Sequence, residues 1–151
     1  MNGQVFAPGA PLDRQFIPNR PKDWFVYPNL FSTLAGSTNA SLTFQIDAAS
    51  DFYLTQLTYL AEADSTSPIT VATFVVPKVT LQITDGGSNR NLFQAQTPLY
   101  SVAGDGNHPH RLLHPRLFAR NSSITLTVSN YSTATTYARL YINFEGFRIY
   151  Q

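Results

Sequence analysis

The chain has 151 residues, a length suited to one well-filled domain and short for two. Charged residues make up 13% of it, about half the ~25% usual for soluble domains, and the net charge is +1. With no basic run, that balance argues against nucleic acid or an acidic membrane as partner, and the lack of cysteine excludes a disulfide framework and thiolate chemistry.

Residues 1–28 differ from the rest. Five of the ten prolines lie there (Pro8, Pro11, Pro18, Pro21, Pro28), interleaved with Phe6, Phe16, Trp24, Phe25 and Tyr27. Proline removes a backbone donor and fixes φ, so residues 1–23 are expected to form an extended arm. Linkers are usually poor in aromatics, so this arm is expected to dock, either back over its own domain or onto a neighbouring subunit. Residues 1–15 lack the apolar run of a signal peptide, and no segment approaches membrane-spanning length. The expectation is a soluble protein made without secretory export.

A single domain is expected over 24–151. Trp24 to Phe31 reads as a first strand, at a sheet edge because it carries Pro28. Leu34 to Ser37 turns into Ser41–Asp47, where Leu42, Phe44 and Ile46 alternate with Thr43, Gln45 and Asp47, the period of a half-buried strand. After the turn-forming stretch Asp47 to Asp51, Phe52 and Leu54 share one parity while Leu57 and Tyr59 share the other. A β-bulge or a short helix would explain the switch, and the aromatic and threonine content favours strand. Ala63 to Pro68 reads as a loop, and Ile69 to Val76 as a strand ended by Pro77. Val79, Leu81 and Ile83 alternate cleanly before the turn signal Asp85 to Asn89, and Arg90 to Phe93 reads as a short return strand. Residues 95–118 show no periodicity and read as a long irregular loop. Ile124, Leu126 and Val128 alternate again. The last strand, Thr136 to Tyr150, carries Leu140, Ile142 and Phe144 inward, with a bulge expected at Gly146. Seven or eight short strands without a long helix predict an all-β fold: an antiparallel sandwich, jelly-roll-like, with an extended proline-rich N-terminal arm.

Catalytic apparatus is not visible. Asp47, Asp51, Asp85 and Asp105 stand at turns, where aspartate bonds its own backbone, and neither a nucleophile elbow nor a phosphate-binding glycine loop occurs. The chain is therefore expected not to be an enzyme, with no catalytic, cofactor or metal site. His108, His110 and His114 have one feature of a metal cluster, the His-x-His spacing, but fall in a proline-broken stretch without the glutamate that a cupin motif would supply. Trp24, Tyr27, Tyr53, Tyr137 and Tyr141 offer rings for stacking on sugars, and equally the rings that flank any sandwich core.

Four features along the chain carry a resemblance: Phe16-Ile17-Pro18 in the arm, Gln45-Ile46-Asp47 followed by Asp51-Phe52, the Gly104-Asp105-Gly106 loop ending at Pro109, and the terminal run Phe144 to Tyr150. In these it resembles small virion structural proteins of tailed bacteriophages, in particular capsid decoration (cement) proteins of jelly-roll type. The resemblance implies a non-enzymatic protein on the capsid exterior that clamps the seams of the shell, with the major capsid protein as partner. It also implies association with itself as a homodimer or homotrimer. The residues expected to anchor the partner are Phe16, Trp24, Phe25 and Tyr27, because buried aromatics dominate interface energetics.

Overall fold

Alternating apolar residues from two layers meet in one core. A computed structural model describes residues 22–63 and 75–150. The arm to residue 21, Phe16 within it, and residues 69–74 of the strand expected over Ile69–Val76 lie outside the described residues. The elements are β1 (Lys22–Leu34), β2 (Asn39–Gln45), β3 (Ser50–Ala63), β4 (Val79–Asp85), β5 (Arg90–Asn91), β6 (Thr97–Pro98), α1 (Leu99–Val102), β7 (His110–Phe118), β8 (Ser123–Asn130) and β9 (Tyr137–Tyr150). Pairing with β9 already begins at Lys22, two residues before the expected boundary.

Sheet A has the order β1-β9-β3-β7 and sheet B the order β2-β8-β4-β5, with β6 also on β4; all these pairings are antiparallel. From β1 to β4 and again from β7 to β9, successive long strands alternate between the sheets, which makes the sandwich a jelly roll. β1 is an edge strand, as Pro28 requires.

The strands are what their patterns dictate. Val79, Leu81 and Ile83 of β4, Ile124, Leu126 and Val128 of β8, and Leu140, Ile142 and Phe144 of β9 are all fully buried. Phe144 packs edge-on against Phe44 at 5.3 Å between ring centroids, joining the two layers, and tilts against Phe118 at 6.2 Å. Asn130, 2% exposed, locks the closed end of the sandwich. Its Nδ2 donates to the carbonyls of Leu34, Ala35 and Thr135, and its Oδ1 accepts from the Ser132 N–H.

Three local expectations are corrected or resolved. The parity switch in β3 is a bulge: its register with both β7 and β9 shifts between Leu54 and Gln56. The bulge expected in β9 at Gly146 is not there, because β9 runs on in unbroken register with β1. Gly146 lies opposite the β3 bulge instead, where a Cβ would run into the Tyr53 carbonyl. The expected irregular loop 95–118 contains β7, so His110 and His114 stand on a strand.

The two flanks of the sandwich differ. On the β7 side, Leu99 and Ala103 are fully buried, and Gly104 extends the sheet A edge, bonding the Tyr59 N–H and the Leu57 carbonyl. On the opposite flank β1 lies over β2, and no strand among the described residues pairs with the outer edge of either.

Candidate functional site

The two solvent-facing sheet surfaces carry opposite chemistry. On sheet B every outward position from Asn39 to Gln45, Thr80 to Thr84 and Ser123 to Ser129 is Ser, Thr, Asn or Gln. Many of these groups bond one another: Ser41 to Thr127 at 3.0 Å, Thr43 to Thr125 at 2.8 Å, and Thr80 and Ser129 both to Gln96 at 2.8 Å. Such a surface is wetted and largely satisfied.

Sheet A is different. Its register sets outward side chains in rows across the strands. One row is Trp24, Phe147, Tyr53 and Leu117, and further along comes Leu30, Tyr141 and Leu60. Trp24 is 50% exposed, Leu117 51%, Leu60 44% and Leu30 39%. Trp24 stands edge-on to Phe147 at 5.3 Å, with the Lys22 ammonium near the same ring. Tyr53 is buried among its neighbours, and that burial pushes its phenol pKa up.

Between the apolar rows lies a polar strip. The Glu145 carboxylate accepts from Gln56 Nε2 and, at 2.6 Å, from Thr58 Oγ1, which in turn accepts from Asn143 Nδ2 at 3.2 Å. Both carboxylate oxygens are therefore engaged, so the strip orients a carboxylate and does not free an acid or base. The far end is closed by Arg139, whose Nε donates to Glu62 at 2.5 Å. Apolar rows flanking a fixed polar strip on one sheet face are the makings of a contact surface.

The expected anchors divide. Trp24 faces outward from sheet A. Phe25 and Tyr27 take the other face or the flank: both are half-buried against the core, and the Arg148 guanidinium stacks on Phe25 at 3.4 Å while pairing with Asp47 at 3.3 Å. Strand alternation separates Trp24 from Phe25, so these two never share one surface. Of the rings offered for sugar stacking, Tyr137 is 1% exposed and its hydroxyl accepts from the Lys78 N–H; only Trp24, Tyr53 and Tyr141 lie on the outer face of sheet A.

The histidines do not converge. His108, His110 and His114 are all exposed, and no group of three His, Asp or Glu among the described residues is placed to hold a metal ion. Asp105 instead shapes the loop. Its Oδ1 accepts from the His108 N–H at 2.6 Å and the Asn107 N–H at 3.0 Å, and the His108 bond above all holds its pKa below the usual carboxylate value.

Leu30, Leu60 and Leu117 were missed as surface residues by sequence reasoning. The readable signal was the odd-numbered apolar series Tyr141, Phe147 and Ile149 in β9, which a strand with only one apolar face would lack. No family model matches the chain, and no curated protein is significantly similar to it.

Proposed function

We propose that this chain is a non-enzymatic virion structural protein that binds and stabilises a phage capsid shell from outside, docking through the outer face of sheet A. The single observation that supports this is the exposed apolar surface there, beside a sheet B surface of uncharged, mutually bonded polar groups. A clamp on a protein lattice needs one adhesive face and one wetted face on a rigid body. The small net charge of +1 suits a contact that rests on shape and apolar burial, so attachment should depend weakly on salt. The partner in this reading is the major capsid protein, with copies of the chain associating as a homodimer or homotrimer. The test is a mass-spectrometric count across a density gradient of particles. Co-migration with intact heads at a fixed ratio to the shell protein supports the reading, and a protein that stays at the top of the gradient sinks it.

A second reading has its own support. Trp24 and the partly exposed Tyr141 share a face with Gln56, Thr58 and Asn143, a combination of ring faces and amide or hydroxyl groups that suits a glycan. Trp24 is the only tryptophan, so a glycan bound there shifts the whole of the tryptophan emission. Emission that responds to surface polysaccharide and not to shells favours this alternative.

A further inference from the structure

β7 gathers cations that no acid of its own offsets. From Gly106 to Arg120 the chain has three arginines, three histidines and no carboxylate side chain. The carboxylates that touch or adjoin this stretch are spent on backbone and hydroxyl donors. Asp51 accepts from the Arg120 N–H at 2.9 Å, and Asp105 from the N–H groups of Asn107 and His108. Asp85, 4% exposed, takes the Gly87 N–H at 2.9 Å and the Ser88 hydroxyl at 2.6 Å, and holds Arg116 at 3.8 Å. Arg111 and Arg120 are exposed, and among the described residues neither guanidinium makes an ion pair. The strand also leaves its sheet part-way. Arg111 stands opposite Gln56 and Arg116 opposite Leu54, so Leu112, Leu113, His114 and Pro115 together face the single Thr55 of β3. That surplus lifts Leu113 off the sheet: it is 72% exposed, the most of any large apolar side chain among the described residues.

We propose that the β7 edge binds a short acidic segment of a partner protein in extended form, with carboxylates on Arg111 and Arg120 and an apolar side chain between them on Leu113. Charge complementarity carries the proposal, since two exposed guanidinium groups flank the most exposed leucine and each can hold a carboxylate through two parallel N–H bonds. The spacing sets the length. Arg111 and Phe118 stand opposite Gln56 and Phe52, a separation of about 13 Å at ~3.3 Å per residue. Arg120, two residues on, brings the span to roughly 20 Å, or about six residues of extended chain. Exposed ion pairs are individually weak, so the contact at Leu113 supplies the rest of the affinity and the preference for one register. A nucleic acid or other polyanion gathers many cations, whereas this edge offers two and sets an apolar side chain between them. Trp24 stands on β1, the opposite edge of sheet A, so the proposal does not depend on what the Trp24 face binds.

The probe is an end-capped, fluorescein-labelled octapeptide with a glutamate near each end and a leucine midway, titrated with the full-length protein and followed by fluorescence anisotropy. The expected result is saturable binding that weakens as salt is raised. The double variant Arg111→Gln, Arg120→Gln should lose about tenfold in affinity, and so should the same peptide with glutamine for glutamate. Leu113→Ser should lose about fivefold. All three side chains are exposed, so these variants should melt like the parent, and Trp24→Ala should bind the peptide unchanged. No saturable binding overturns the proposal, as does equal binding of the glutamine peptide. Loss of binding in Trp24→Ala overturns it by moving the peptide to the Trp24 face. Heparin or a single-stranded oligonucleotide that binds more tightly than the peptide, and is indifferent to Leu113→Ser, overturns it in favour of a polyanion.

Discussion

Trp24→Ala is the sharpest perturbation of the proposed docking face. An aromatic side chain buries ~150–250 Å² when enclosed, and Trp24, at the top of that range, is 50% exposed in the free protein. Docking would remove on the order of 100 Å² of it from water, worth ~2.5 kcal/mol at ~25 cal/mol/Å². The substitution should therefore weaken attachment roughly 50- to 100-fold. It also loses the half already packed in the monomer, including the edge contact with Phe147, so binding is measured well below the melting transition, with folding checked by circular dichroism. The assay is rebinding of purified protein to shells stripped of it, read as bound fraction after sedimentation. Leu30→Glu, on the same face, should also impair binding, while Thr43→Lys on sheet B should leave it unchanged. Normal attachment of Trp24→Ala together with loss of attachment in Thr43→Lys would refute the assignment of the face.

Three further outcomes follow from the fold and the loop. Gly146→Ala should destabilise by about 2–3 kcal/mol, because the new methyl group meets the Tyr53 backbone carbonyl and strands β3 and β9 must part; Gly106→Ala, with open space around it, should melt like the parent. Phe144→Ala should lose about 3–5 kcal/mol in urea unfolding, since the ring is fully buried and joins Phe44 to Phe118. The Asp105 loop should respond to acid alone. Its carboxyl pKa is lowered on folding, so the stability it contributes is present above the unfolded value near 3.8 and is lost as pH falls below that through the folded value. Amide shifts of Asn107 and His108 should accordingly move below pH 4, and shifts that stay flat through that acid range would refute the reasoning.

Most of the architecture was legible because it rests on period-two alternation, which β2, β4 and β8 display without interruption and β9 displays from Leu140 to Gly146. β7 was not legible, for a physical reason. As an edge strand it buries only Phe118 fully, carries Pro115, and mixes His110, Arg111 and His114 with Leu112 and Leu113, so neither face reads as apolar. The bulge in β3 was legible as a fault in parity, whereas the second bulge expected in β9 is not there: Gly146 permits close approach of the bulged strand without being a bulge itself. The site was half legible. The aromatics of the proline-rich N-terminal stretch brought Trp24 into view, yet the rows it belongs to join β1, β9, β3 and β7, residues far apart in the chain. Only the register assembles them. Phe25 and Tyr27 were drawn into the same set by adjacency, which strand geometry works against, since neighbours along a strand face opposite ways.

The asymmetry between the two outer surfaces bears on how such a body can work. A free sheet face must either be wetted or be covered. Sheet B meets the first condition with hydroxyl and amide groups that bond across strands at 2.8–3.0 Å, leaving few groups for a partner to satisfy. Sheet A does not meet it: Trp24, Leu30, Leu60 and Leu117 stay in water although buried positions were available to leucine elsewhere in the fold. Of the eight large apolar side chains left exposed among the described residues, these four lie on one face around the anchored Glu145 carboxylate.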